Sequence, residues 1–176
     1  MIMRPGQQLL LPANPVFIWF SLILALMGNM LMNMGLWGRA AWMPDLLAIA
    51  LVFWSVHQPL RIGVGVAFAF GLVMDVHQGT LLGQHALAYT ALGFGAIAVH
   101  RRLLWFPVPQ QALQVFGLFL GAHLLQLIAR MAVGGSFPGF DLVLAPVIEA
   151  LLWPLASVLL LAPQRRAPNP DDNRPL

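Results

Sequence analysis

The chain has 176 residues, 60% of them hydrophobic and 9% charged, with a mean hydropathy of +0.80; this excludes an ordinary water-soluble domain and calls for an integral membrane protein. The 9 Lys and Arg residues are all arginine, and the formal net charge is +3. These arginines are scattered at the edges of apolar runs, with no basic patch interleaved with aromatics, so they read as topology determinants and not as nucleic-acid contacts. The chain has no cysteine, which excludes disulfides, thiolate metal sites and lipidated cysteines.

The expected fold is all-α: one membrane domain, 1–162, of about six transmembrane helices over 16–34, 44–57, 61–75, 84–99, 111–131 and 142–161. A polar tail, 163–176, has no apolar face and is expected to be disordered. The first run is longer than a signal-peptide core and lacks a small-x-small cleavage pattern, so it is expected to be retained. Within it Asn29 and Asn33 lie one turn apart. Amides in hydrocarbon usually hydrogen-bond a neighbouring helix, each contributing about 0.5–2 kcal/mol.

Pro44-Asp45 opens the second run, with proline tolerated in a first turn and the carboxylate facing the positive end of the helix dipole. Its apolar part, Leu46 to Val56, spans about 17 Å at ~1.5 Å per residue, short of ~30 Å of hydrocarbon. The third run carries Gly63, Ala67 and Gly71 at every fourth residue, a small-residue stripe that admits a close helix neighbour, and Asp75 continues it. Gly79 and Gly83 then permit tight turns, and Asp75 is placed to satisfy backbone donors or cap the re-entering helix. The fourth run is crowded with Ala and Gly, and Ala91 and Gly95 repeat the small-residue spacing.

The fifth run contains Gly117-x-x-x-Gly121, followed by His123, Gln126 and Arg130 on one face. The last is interrupted by Pro146 and Pro154, with Glu149 between them. An unpaired carboxylate at that depth costs about 3 kcal/mol. Glu149 is therefore expected to meet His123, Gln126 or Arg130 in a buried contact that fixes helix packing.

Six crossings place both termini on one side. Arg4, Arg61, Arg101, Arg102, Arg165, Arg166 and Arg174 fall on that side, against Arg39 and Arg130 on the other, so both termini are expected in the cytoplasm and the Asp75–Gly83 turn outside. No catalytic constellation emerges: there is no Gly-x-Ser-x-Gly, no His-Glu-x-x-His and no phosphate loop. Asp75, His77 and His85 match no familiar metal spacing. No enzyme activity, metal or cofactor is expected.

From Pro44 to Tyr89 the chain resembles the rod shape-determining MreD family of bacteria. The matching features are Pro44-Asp-Leu-Leu with Phe53-Trp54, Pro59-x-Arg61, Gly63 to Gly71, and Asp75-x-x-x-Gly79-Thr-Leu-Leu-Gly83 followed by Ala86-Leu87 and Tyr89. Leu152-Trp153-Pro154 is also similar to the family, whereas His77 stands where an apolar residue is expected. The resemblance implies a multi-pass protein of the inner (cytoplasmic) membrane, in contact with membrane lipid. It implies a non-catalytic scaffold or regulator of the elongation complex, one that binds MreC and helps couple MreB filaments to the glycosyltransferase and transpeptidase of the lateral wall, and so maintains cell shape. The family is also similar in fold to the membrane-embedded substrate-binding subunits of vitamin-uptake transporters. The alternative expectation is accordingly a small-molecule or lipid-binding subunit, with an outward pocket lined by Asp75, His85, Glu149 or Asn33.

On the scaffold reading, the candidate partner surface comprises Gly63, Ala67, Gly71, Asp75, Gly79, Leu82, Gly83, Ala91 and Gly95. Each small-residue stripe serves either a partner helix or packing within the bundle. Asn29, Asn33, His123, Gln126, Arg130 and Glu149 are expected as buried polar packing groups.

Overall fold

Apolar segments that must hide every backbone N–H and C=O from hydrocarbon become helices, and six α-helices form among the described residues. They are α1 (Pro15–Asn33), α2 (Leu46–His57), α3 (Val64–Gln78), α4 (Gln84–Leu104), α5 (Val108–Ala132) and α6 (Leu144–Leu161), with short 3-10 turns at Phe140–Val143 and Ala162–Gln164. The structure is a computed structural model that describes residues 13–34, 42–137 and 139–164, and no strand occurs among them. The leader before Ala13, the Trp37–Arg39 segment and the tail from Arg165 lie outside the described residues.

Local chemistry sets the helix ends. Asn14 caps α1 by accepting from the Val16 N–H at 2.9 Å, with Pro15 in the first position. Asp45 caps α2 by accepting from the Ala48 N–H at 2.9 Å. Helix α3 runs past Asp75 to Gln78 and stops at Gly79, whose φ of +60° is the left-handed geometry that favours glycine. Helix α4 continues beyond Val99 through His100-Arg101-Arg102 to Leu104, because cations suit the negative end of a helix. Among the described residues, three segments are long and apolar enough to cross a membrane: Pro15–Asn33, Val108–Ala132 and Phe140–Gln164.

Short, apolar all round, α2 is the centre of the bundle. Ten consecutive residues, Leu47 to Val56, are buried, the signature of a helix surrounded by protein and not by lipid. Helices α1, α4 and α6 pack on it, α3 packs on α4, and α5 bridges α4 and α6. Phe53, Trp54, Trp153 and Phe119 fill the core. The Trp54 indole donates to Ser21 Oγ at 2.8 Å and the Trp153 indole to Gln111 Oε1 at 3.2 Å, so neither ring buries an unpaired N–H.

The α3–α4 contact consumes most of the first small-residue stripe. A Cβ at Gly71 would stand 2.4 Å from Ala86 Cα, and one at Gly93 would stand 3.2 Å from the Ala67 methyl. Ala67 and Gly71 are thus spent inside the bundle, whereas Gly63 faces open space. Gly95 serves the next contact, where a Cβ would meet Leu118 of α5 at 2.9 Å.

Candidate functional site

The buried carboxylates Asp75 and Glu149 gather with Asn29, His85 and His123 at one end of the bundle, the end bearing the α3–α4 turn. Asp75, 1% exposed, closes that turn. Its Oδ1 accepts from the His85 N–H (2.7 Å), His85 Nδ1 (2.9 Å) and Thr80 Oγ1 (3.2 Å), and its Oδ2 from the N–H groups of Gly83 (2.8 Å) and Ala86 (3.3 Å). The first turn of a helix leaves N–H groups without intrahelical partners and carries partial positive charge. A carboxylate delivered from the preceding helix satisfies both needs, through charge-assisted bonds roughly twice as strong as neutral ones.

A second cluster centres on Asp45. Its Oδ1 accepts from Asn29 Nδ2 of α1 at 2.9 Å as well as from its own helix, and its Oδ2 accepts from the Tyr89 hydroxyl of α4. The Asp45 N–H donates in turn to Glu149 Oε1 of α6 at 2.9 Å, and the same oxygen lies 2.9 Å from His123 Nε2 of α5. The His85 and Tyr89 rings meet edge to face, with centroids 5.9 Å apart, which joins the two clusters. Every helix thus contributes to one connected set: Asn29, Asp45, Asp75, His85 with Tyr89, His123 and Glu149.

Glu149 is fully buried and only half satisfied, because its Oε2 has no partner among the described residues. Above this set opens a cavity of about 820 Å³, lined by Asn29, Asn33, Asp45, His85, His123 and Arg130 among others. Its origin is geometric. Helix α2 has 12 residues, about 18 Å at ~1.5 Å per residue, so the longer helices around it enclose space beyond its N-terminus.

The structure brings Asn29, His123 and Glu149 into the polar set, while Asn33 bonds back to its own helix, donating to the Asn29 carbonyl at 2.8 Å. Gln126 lines the cavity, half-buried. Arg130 is exposed, which corrects its expected burial: it sits in the last turn of α5, where a guanidinium reaches water and favours the helix C-terminus. Asp75 faces inward and offers no surface of its own, whereas Gly79 and Leu82 are exposed and Gly83 and Ala91 half-buried. Of the four residues expected around a pocket, His85 and Asn33 line the cavity and Asp75 and Glu149 stand behind its wall. No group of three or more His, Asp or Glu side chains able to hold a metal ion occurs among the described residues.

Sequence reasoning missed the central place of Asp45 and Tyr89. The N-cap signal in Pro44-Asp45 was readable, but the carboxylate also reaches residues 16 and 44 positions away. No local pattern encodes those contacts.

A family model described as rod shape-determining protein MreD matches residues 13–162, which include every residue of the polar set. A curated relative from Haemophilus influenzae, also described as rod shape-determining protein MreD, is 24% identical over 154 residues, covering 84% of this chain and 93% of its own length. No solved structure matches.

Proposed function

The chain belongs to the rod shape-determining protein MreD family, and from that premise we propose that it acts in the bacterial inner membrane as a non-catalytic scaffold and regulator of wall elongation. In this reading it binds MreC directly. The same assembly brings MreB filaments and the lateral-wall glycosyltransferase and transpeptidase together, and the arginine balance puts the α3–α4 turn outside the cytoplasm.

The observation that carries the proposal is how the acids are used. Asp45 and Asp75 are committed to cross-helix bonds and caps, and Glu149 joins α2, α5 and α6. Carboxylates committed in the manner of Asp45 and Asp75 hold a shape, and Glu149 ties three helices through one oxygen. What remains for a partner is surface. Beside the turn, Val76 (71% exposed) and Leu82 (69%) present apolar side chains where a single-span partner leaves the membrane.

The test uses cross-linking in cells through single cysteines, since the chain has none of its own. Val76→Cys and Leu82→Cys are expected to cross-link to MreC, while Phe94→Cys, 66% exposed on α4, is not. Inserted, stable protein with no cross-link at either turn position would overturn the assignment of this face.

A further inference from the structure

The cavity of about 820 Å³ falls within the size range of small-molecule sites, and its wall is divided by chemistry. The floor carboxylate, Asp45, is fully engaged by Asn29, Ala48 and Tyr89. Unspent donors remain on the wall. Gln78, Gln84 and Gln126 reach the cavity from three different helices, and with Arg130 they make no side-chain hydrogen bond or ion pair among the described residues. Met32, Leu127 and Leu142 supply an apolar remainder. Asp141 also lines the cavity, and its charge, like that of Arg130, is exposed and screened by water.

Helix α1 carries Met32, and Leu142 lies in the turn leading into α6. Those two helices are each seated on α2 and pack little against one another. Among the described residues this flank therefore has no closely packed helix pair, and Met32 and Leu142 are half-buried there. A guanidinium with free amides on one wall and hydrocarbon on the other suits a molecule built the same way. At the level where the helices end, the anion a membrane offers is a phosphate ester.

We propose that this cavity is the headgroup site of an anionic amphiphile, a phosphate ester on an apolar tail. The phosphate sits at Arg130 and Gln126, the polar body of the head against Gln78 and Gln84, and the tail leaves past Met32 and Leu142 into the membrane. The site stands independently of MreC binding.

The experiment follows thermal unfolding of the full chain in neutral detergent. The titrants are dihexanoyl phosphatidylglycerol, the neutral dihexanoylglycerol, and glycerophosphate as the head alone. The phospholipid is expected to raise the Tm saturably. Arg130→Gln should weaken that response about tenfold, the loss of one charge-assisted contact, with the unliganded Tm unchanged. Gln126→Leu should weaken it less, and serves as the reading if Arg130→Gln cannot be purified; Arg101→Gln, at the opposite end, should have no effect. An equal response to the neutral lipid, or to the phospholipid in both cavity variants, overturns the anion assignment. An equal response to glycerophosphate overturns the tail and makes this a site for soluble phosphate esters. No saturable response to any of the three overturns the site.

Discussion

Asp75 and Glu149 are both buried carboxylates at the same end of the bundle, but they are held in opposite ways. Asp75 has both oxygens engaged by donors lying 5 to 11 residues ahead in the chain. Glu149 uses one oxygen only, with donors 26 and 104 positions away, and leaves the other unpaired. The first acid is a local device that makes one turn; the second is a long-range tie that can form only after α2, α5 and α6 have come together. A buried acid that completes a local motif belongs to the hairpin, and one that reaches across the fold belongs to the assembled bundle.

That distinction ranks the expected effects of substitution. Asp75→Ala should be the most damaging, because it strands three backbone N–H groups and the His85 ring in a buried turn, a loss of about 3–5 kcal/mol. Thermal unfolding of the purified protein should register it, and protease accessibility should locate the opening between α3 and α4. Gly71→Ala should follow at about 1–3 kcal/mol, since its methyl must displace Ala86 backbone. Gly63→Ala, which meets open space, should be close to neutral. The same geometry makes Gly71 unsuitable for probing a partner surface, because loss of binding there would report the hairpin and not the interface.

Tyr89→Phe should cost about 1.5–3 kcal/mol, the worth of a hydrogen bond to a charged group, because it leaves Asp45 Oδ2 without its partner while Oδ1 keeps its bonds to Asn29 and Ala48. A cost well above that would mean the two clusters work as a single unit through the His85–Tyr89 contact, and would erase the difference between the local and the long-range acid.

The same division explains what the sequence disclosed. The helical bundle was legible because apolar runs broken by proline, glycine and arginine leave few other readings. So was the Asp75 turn, whose donors lie within one hairpin, and the need of Glu149 for a partner, since a lone acid in hydrocarbon is expensive. The meeting of Asn29, Asp45 and Tyr89 was not legible: it depends on how α1 and α4 rotate against α2, which three-dimensional packing decides. Nor was the cavity, which exists because a short helix took the centre of the bundle instead of an edge. The Gly63, Ala67 and Gly71 stripe was visible as a contact surface, but spacing alone does not say whether the neighbour is a partner or α4.

What holds the bundle is separate from what faces a partner, and one paired measurement tests this directly: capture of MreC by Leu82→Arg and Glu149→Gln, alongside the Tm of each. Leu82→Arg should lose MreC with its Tm unchanged, because Leu82 is an exposed side chain on the turn. Glu149→Gln should keep MreC with a lowered Tm, because the amide disturbs the tie to Asp45 and His123 and leaves the outer surface intact. The reverse pattern, capture lost with Glu149→Gln at unchanged stability and retained with Leu82→Arg, would contradict the account and place the partner contact in the polar set itself.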